Sequence, residues 1–189
     1  MTSHGNPDID SLTAEASHAP LLAAKVRIPR VRAELIARPR IAKRLAPTTA
    51  SRLTLISAPA GFGKTTLLAA WIRDQEREAS WLSLDAGEND PTRFLSYLLL
   101  AFQDLAPDVA HPALEALRSP QPPPLKTVLT ALANELALRL DAEDARYVLV
   151  LDDYHVIDAQ EIHEMVAFLL EALPPALQLV IATRVDPPL

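Results

Sequence analysis

Apolar residues gather in four short runs that lack helical spacing. Residues 52–57 (RLTLIS), 80–84 (SWLSL), 147–151 (YVLVL) and 177–182 (LQLVIA) are predicted strands. The third is apolar without alternation, which is the pattern of a central parallel strand covered on both faces. Between these runs the apolar positions recur three and four residues apart. Leu67, Leu68, Trp71 and Ile72 predict a helix over 63–76, with Trp71 as a core anchor. Phe94, Leu95, Leu98 and Phe102 predict another from Pro91 to about residue 105, with Asp90 as its cap and Pro107 as its stop. Leu125, Val128, Leu129, Leu132 and Leu136 define a third, ending near residue 140. Ile162, Met165, Val166, Leu169 and Leu173 define a fourth, with Asp158 and Glu161 spaced as a capping box and Pro174-Pro175 as the stop. Strands alternating with helices imply parallel βαβ units, hence an α/β fold.

The flanks and one interior stretch lack this order. Residues 1–20 are polar and mildly acidic and read as a disordered tail. Prolines at 20, 29 and 39 forbid a long helix, so 21–51 reads as an extended basic arm with at most a short turn, then a short helix over 39–45. Six prolines between 106 and 124 mark a surface excursion with one short helix around 113–118. The remaining span, 52–189, is the partial folded domain.

Composition changes this picture in three ways. At 189 residues, 49% apolar and 22% charged, the chain suits one α/β domain with a real core. It has no cysteine, which excludes disulfides and thiolate zinc sites, and its five histidines lack metal-ligand spacing and read as surface or structural. The net charge of −6 is uneven: 21–52 holds nine cations against Glu34, a local +8 that leaves −14 elsewhere. That arm has no aromatic residue to stack on bases, so a phosphate-neutralising or solvated role suits it better than direct nucleic-acid binding. The amino-terminal stretch has no apolar core of a secretory signal, and no run reaches membrane-spanning length, so a cytoplasmic location without a membrane partner is expected.

The chemistry lies in residues 53–66, LTLISAPAGFGKTT. A strand, a turn with two of the chain's four glycines and a Lys-Thr-Thr helix start are the parts of a phosphate-binding loop. Glycines let main-chain N–H groups approach a triphosphate closely. Ala60, Gly61 and Gly63 belong to that loop, Lys64 is placed for the β- and γ-phosphates, Thr65 for Mg²⁺ and Thr66 for the α-phosphate. One departure stands out: Ala58 occupies the position where G-x-x-x-x-G-K-[ST] begins with glycine. The buried strand 147–151 runs into Asp152-Asp153, acids at the carboxyl end of a strand, where open α/β sheets bind ligands. Asp152 is assigned to Mg²⁺ and Asp153 to polarising the attacking water. Arg184, just past the last strand, is assigned to sensing the γ-phosphate or stabilising transition-state charge. No D-x-x-G with N-K-x-D is present, which argues against a GTPase, and the transporter-ATPase signature is missing. The expected architecture is a three-layer P-loop NTPase sandwich with parallel strand order 2-3-4-1.

The segments APAGFGKTTLLAAW, WLSLDAGENDPTRFLSYL, VLVLDDYHVID, IHEMVAFLLEALPP and LVIATRVDPPL resemble the N-terminal ATPase region of MalT-like regulators in the LuxR family, which are signal-transduction ATPases. LLAAKVRIPR and ARPRIAKRL resemble the segment that precedes the loop strand there. The resemblance covers about residues 21–189, and Ala58 agrees with it. It implies a switch in which ADP holds a resting monomer and ATP with an inducer permits self-association. It also implies that Arg38 lies against the nucleotide and that Lys64, Thr65, Asp152, Asp153 and Arg184 keep the roles given above. Such regulators continue into a fifth strand, a helical lid, a sensor array and a helix-turn-helix through which DNA is bound. Their absence from these 189 residues suggests a truncated module whose first strand is an unpaired edge, with marginal stability or self-association. The expected function is ATP binding with slow hydrolysis at most. A small P-loop kinase and a nonfunctional truncated remnant are the alternatives.

Overall fold

The computed structural model describes residues 20–31, 45, 52–74, 78–140 and 147–189. Four parallel strands, β1 (Leu53–Ser57), β2 (Ala79–Ser83), β3 (Tyr147–Asp152) and β4 (Leu177–Thr183), form one sheet in the order β1-β4-β3-β2. Read from the other edge this is the expected 2-3-4-1, with the last strand between the first and the third. β4 is buried along its whole length and β3 along all but its first residue, so both central strands are apolar throughout.

The sheet separates two apolar layers. On one face, Leu68, Ala69, Trp71 and Ile72 of α1 (Lys64–Asp74) pack with Trp81, Val148, Val150, Val180 and Ala182. Leu45, which is helical and buried, joins this layer; the rest of the short helix expected over 39–45 lies outside the described residues, as do residues 1–19. The other face carries α2 (Pro91–Ala101), α3 (Pro107–Leu117), α4 (Leu125–Arg139) and α5 (Gln160–Ala172) over Leu82, Leu149, Leu151, Leu179 and Ile181. The alternation along β3 sends Val148 and Val150 to one layer and Leu149 and Leu151 to the other. Each such fully buried aliphatic side chain contributes about 1.5–3 kcal/mol. This is the three-layer α/β/α sandwich.

Three local expectations are corrected. The proline-rich stretch is not a surface excursion with a short helix at 113–118, because Pro107 opens an eleven-residue helix that carries Pro112 inside it. Pro112 removes one helical hydrogen bond, yet Ala106, Ala110 and Leu117 are buried in the larger layer and hold the helix in place. The Asp158–Glu161 capping box does not form: α5 has Ala159 at its cap position, without a side-chain cap of its own. Asn89 Oδ1 instead accepts from the N–H groups of Asp158 at 2.7 Å and Ala159 at 3.0 Å, the residue before the cap and the cap itself. In the described part of the arm, residues 20–31, the allowance for a short turn holds, but Lys25 is not a solvated cation. Residues 23–26 form a 3-10 turn, and Lys25 is clasped between Asp85 and Glu88. By contrast, Asp90 caps α2 as expected, accepting from the Arg93 N–H at 2.7 Å with Pro91 at the first helical position.

Candidate functional site

β1 ends at Ser57, and the chain turns through Ala60 and Gly61 at the exposed carboxyl end of the sheet before entering α1. Gly61 and Gly63 have φ of 81° and 75°. Nothing lies within 4 Å of a Cβ at either position, so backbone conformation and not crowding demands glycine. Lys64, the first residue of α1, is buried, and its ammonium donates to the carbonyls of Ala58 at 2.7 Å and Pro59 at 3.2 Å. The loop therefore curls around its own lysine. Thr66 sits half-buried on the first turn of α1.

The next contact crosses the sheet. Thr65 Oγ1 donates to Asp152 Oδ2 at 2.7 Å, while Asp152 Oδ1 accepts from the Asp153 N–H at 3.1 Å. Asp152 is 2% exposed, and burial pushes its carboxyl above the usual carboxylate range; the Thr65 hydrogen bond opposes this and the Asp153 charge adds to it. Asp153 leaves the strand in the left-handed region at φ 58°, and its side chain is half-exposed. Ala58 N–H donates to Thr183 O at 3.2 Å, which ties the loop to the end of β4. Arg184 follows at once and is exposed.

Thus Lys64, Thr65, Asp152 and Asp153 come together, and Arg184 stands at the same end of the sheet. Arg38 lies outside the described residues. One neighbour was not anticipated: His155, on the 3-10 turn Tyr154–Val156, has Nδ1 3.8 Å from Asp153 Oδ1. Burial lowers its pKa first and the Arg184 charge lowers it further, with Lys64 adding to this; the charges of Asp153 and Asp152 oppose the shift without cancelling it. Its place two residues beyond Asp153 was the only sequence signal. His163 fits the structural reading: its Nδ1 lies 2.9 Å from the Tyr154 hydroxyl in a buried pair, and burial lowers its pKa. A cleft of about 300 Å³ opens beside this pair, bounded by His155, Thr183 and Val185.

A glycine-bearing loop curled around a buried lysine, facing acids at the carboxyl end of a parallel sheet, defines a nucleotide-binding P-loop NTPase. Residues 31–181 match the AAA ATPase domain, and the chain belongs to that family. Over 154 residues, 82% of its length, it is 38% identical to the HTH-type transcriptional regulator MalT of Vibrio cholerae. Over the same length it is 40% identical to the proteins of that name from Yersinia enterocolitica and Serratia proteamaculans. It is therefore a MalT-like ATPase region, and it spans 16% of the length of these curated relatives. Among solved structures, a chain from the structure of Drosophila ORC bound to DNA aligns over 97% of this chain and 46% of its own, at 13% identity and a TM-score of 0.49. No helix among the described residues is long and apolar enough to cross a membrane.

Proposed function

We propose that this chain is the ATP-binding regulatory module of a MalT-like transcription regulator, binding ATP or ADP with Mg²⁺ and hydrolysing ATP slowly. The observation that supports it best is the 2.7 Å hydrogen bond from Thr65 to Asp152. A neutral and an anionic oxygen held together, next to a loop lysine, are the hard donors that Mg²⁺ takes alongside phosphate. In this reading the loop at Ala60, Gly61 and Gly63 presents N–H groups to the phosphates, Lys64 meets the β- and γ-phosphates, and Thr66 lies near the α-phosphate. Thr65 and Asp152 hold the metal, which when bound neutralises phosphate charge. Asp153 orients and polarises the attacking water, Arg184 answers to the γ-phosphate, and Arg38 lies against the nucleotide. DNA binding would belong to a helix-turn-helix elsewhere in such a regulator. Self-association is part of the same proposal, since β1 pairs only with β4 among the described residues.

The test is a titration of labelled ATP, with and without Mg²⁺, into the protein and into Lys64→Ala. Binding that needs Mg²⁺ and is lost in Lys64→Ala supports the assignment. Equal affinity of the two proteins sinks it.

A further inference from the structure

The turn at 85–89 has a partner on each side. On one side is the arm: Lys25 Nζ lies 2.7 Å from Asp85 Oδ2 and 2.5 Å from Glu88 Oε2. Glu88 is fully buried; its Oε2 also accepts from the Asp85 N–H at 2.8 Å, and Arg93 Nε stands 3.5 Å from Oε1. Lys25 and Arg93 lie over the Tyr97 ring, 5.1 and 5.3 Å from its centroid, and the Tyr97 hydroxyl accepts from the Leu22 N–H at 3.0 Å. A buried carboxylate is costly unless its cations stay in place. The position of Glu88 is therefore tied to the docking of the arm.

On the other side is the segment that follows the acid pair. Asn89 Nδ2 donates to Val156 O at 2.7 Å, and Asn89 Oδ1 accepts from the N–H groups of Asp158 and Ala159. Two N–H donors facing Oδ1 and a carbonyl facing Nδ2 leave the amide only one orientation. Asn89 thus holds 156–159, the continuation of the turn that begins at Asp153. One step back, the Asp152 carbonyl accepts from the Leu84 N–H at 3.0 Å, so the strand leading into the 85–89 turn also touches the acid pair. Glu88 and Asn89 are adjacent in a 3-10 turn closed by a reciprocal Asp85–Glu88 capping box. Glu88 cannot move far without moving Asn89.

We propose that Asn89 is a positioning residue for the Asp152–Asp153 pair and that Lys25, acting through Glu88, locks it in place, so that docking of the arm is coupled to the order of 153–159. The positioning half rests on the nucleotide reading of the acid pair; the coupling half does not. A simple helix cap at Asn89 would give the same hydrogen bonds but no response to a change at Lys25.

Hydrogen exchange by mass spectrometry on the full chain separates the two. Lys25→Met, which keeps an unbranched side chain only one atom shorter and without its charge, is compared with the wild type and with Arg27→Met as a control. Coupling predicts faster exchange in 20–31 and, on the order of tenfold faster, in 153–159, with α4 unchanged. Faster exchange in 20–31 alone, or no change in either, overturns the coupling. If Lys25→Met unfolds the chain, Lys25→Gln is read in the same way, and Lys25→Arg is expected to restore the wild-type pattern. The positioning half is read from ADP and ATP titrations. Asn89→Ala should weaken the Mg²⁺-dependent part of binding several-fold, and Asn89→Asp, which keeps an acceptor for both N–H groups, should recover part of it. Unchanged Mg²⁺ dependence in Asn89→Ala overturns this half. A wild type that binds no nucleotide removes the positioning role and the nucleotide reading together, while the exchange result stands on its own.

Discussion

Thr65 and Asp152 are 87 residues apart in the chain and share a hydrogen bond of 2.7 Å. It joins the first turn of α1 to the end of β3 past the intervening end of β4. Thr65→Val keeps the shape and removes the donor, leaving a buried carboxylate oxygen unpaired. Denaturant melts should show a loss of about 1–3 kcal/mol, with Thr65→Ser close to wild type. If Val and Ser variants melt alike, the hydrogen bond carries no stability.

Asp152 gives the opposite sign. Burial raises its folded-state pKa, so the folded chain keeps this proton to higher pH than the unfolded chain does. The unliganded protein then loses stability as pH rises above the ordinary carboxylate range, and the loss persists at neutral pH. Asp152→Asn removes the buried charge and should raise the melting temperature at pH 7 by about 2–4 °C while abolishing Mg²⁺-dependent nucleotide binding. A lower melting temperature would show that the hydrogen bonds to the ionised carboxylate outweigh its burial.

In the proposed reading Asp153 would combine a role in hydrolysis with backbone strain. At φ 58° a side chain other than Asn, Asp or Gly costs about 1–2 kcal/mol. Asp153→Ala should destabilise by roughly that amount, whereas Asp153→Gly should not, and both should lose ATP hydrolysis. Thermal melts and phosphate release, measured on the same pair, separate the two roles. Equal melts would place the strain elsewhere.

The clasp at Lys25 should have a pH window. Burial disfavours the Lys25 charge, but hydrogen bonds to Asp85 and Glu88 outweigh it and raise its pKa, a stabilisation lost only as pH climbs past the ordinary lysine range. The hydrogen bond from Lys25 holds the Asp85 carboxyl below its ordinary value, a stabilisation lost as pH falls below the carboxylate range. Exchange protection of 20–31, corrected for intrinsic rates, should therefore be flat from about pH 5 to 9 and drop at both ends. A change centred near pH 6.5 would point to a histidine instead.

Some of this molecule was legible because its signals are local. The run LTLIS, two glycines and Lys-Thr-Thr lie within fourteen residues, and each type is required by the backbone or by phosphate. The alternation of strand and helix, and the burial of YVLVL on both faces, follow from periodicity. The strand order followed from placing the 177–182 strand between the loop strand and the acid strand.

Other features were hidden, and they share a cause. The Asp158–Glu161 spacing looked like a capping box, but the N–H of the cap residue Ala159 is met by Asn89, 70 residues away. Lys25 read as one cation of a solvated arm, whereas its partners Asp85 and Glu88 lie 60 and more residues away. Prolines at 107 and 112 argued against a long helix, and burial of Ala110 and Leu117 overrode them. His155 gained significance only from Asp153 and the charges of Arg184 and Lys64 around it.

The sequence by itself determined the phosphate loop, the acid-ended strand and the sandwich that joins them, since backbone preference and hydrophobic period act between near neighbours. Only the tertiary structure decided which distant side chain caps, pairs or neutralises which, because the cost of a buried charge or an unmet N–H is settled by whatever group the fold brings within about 3 Å.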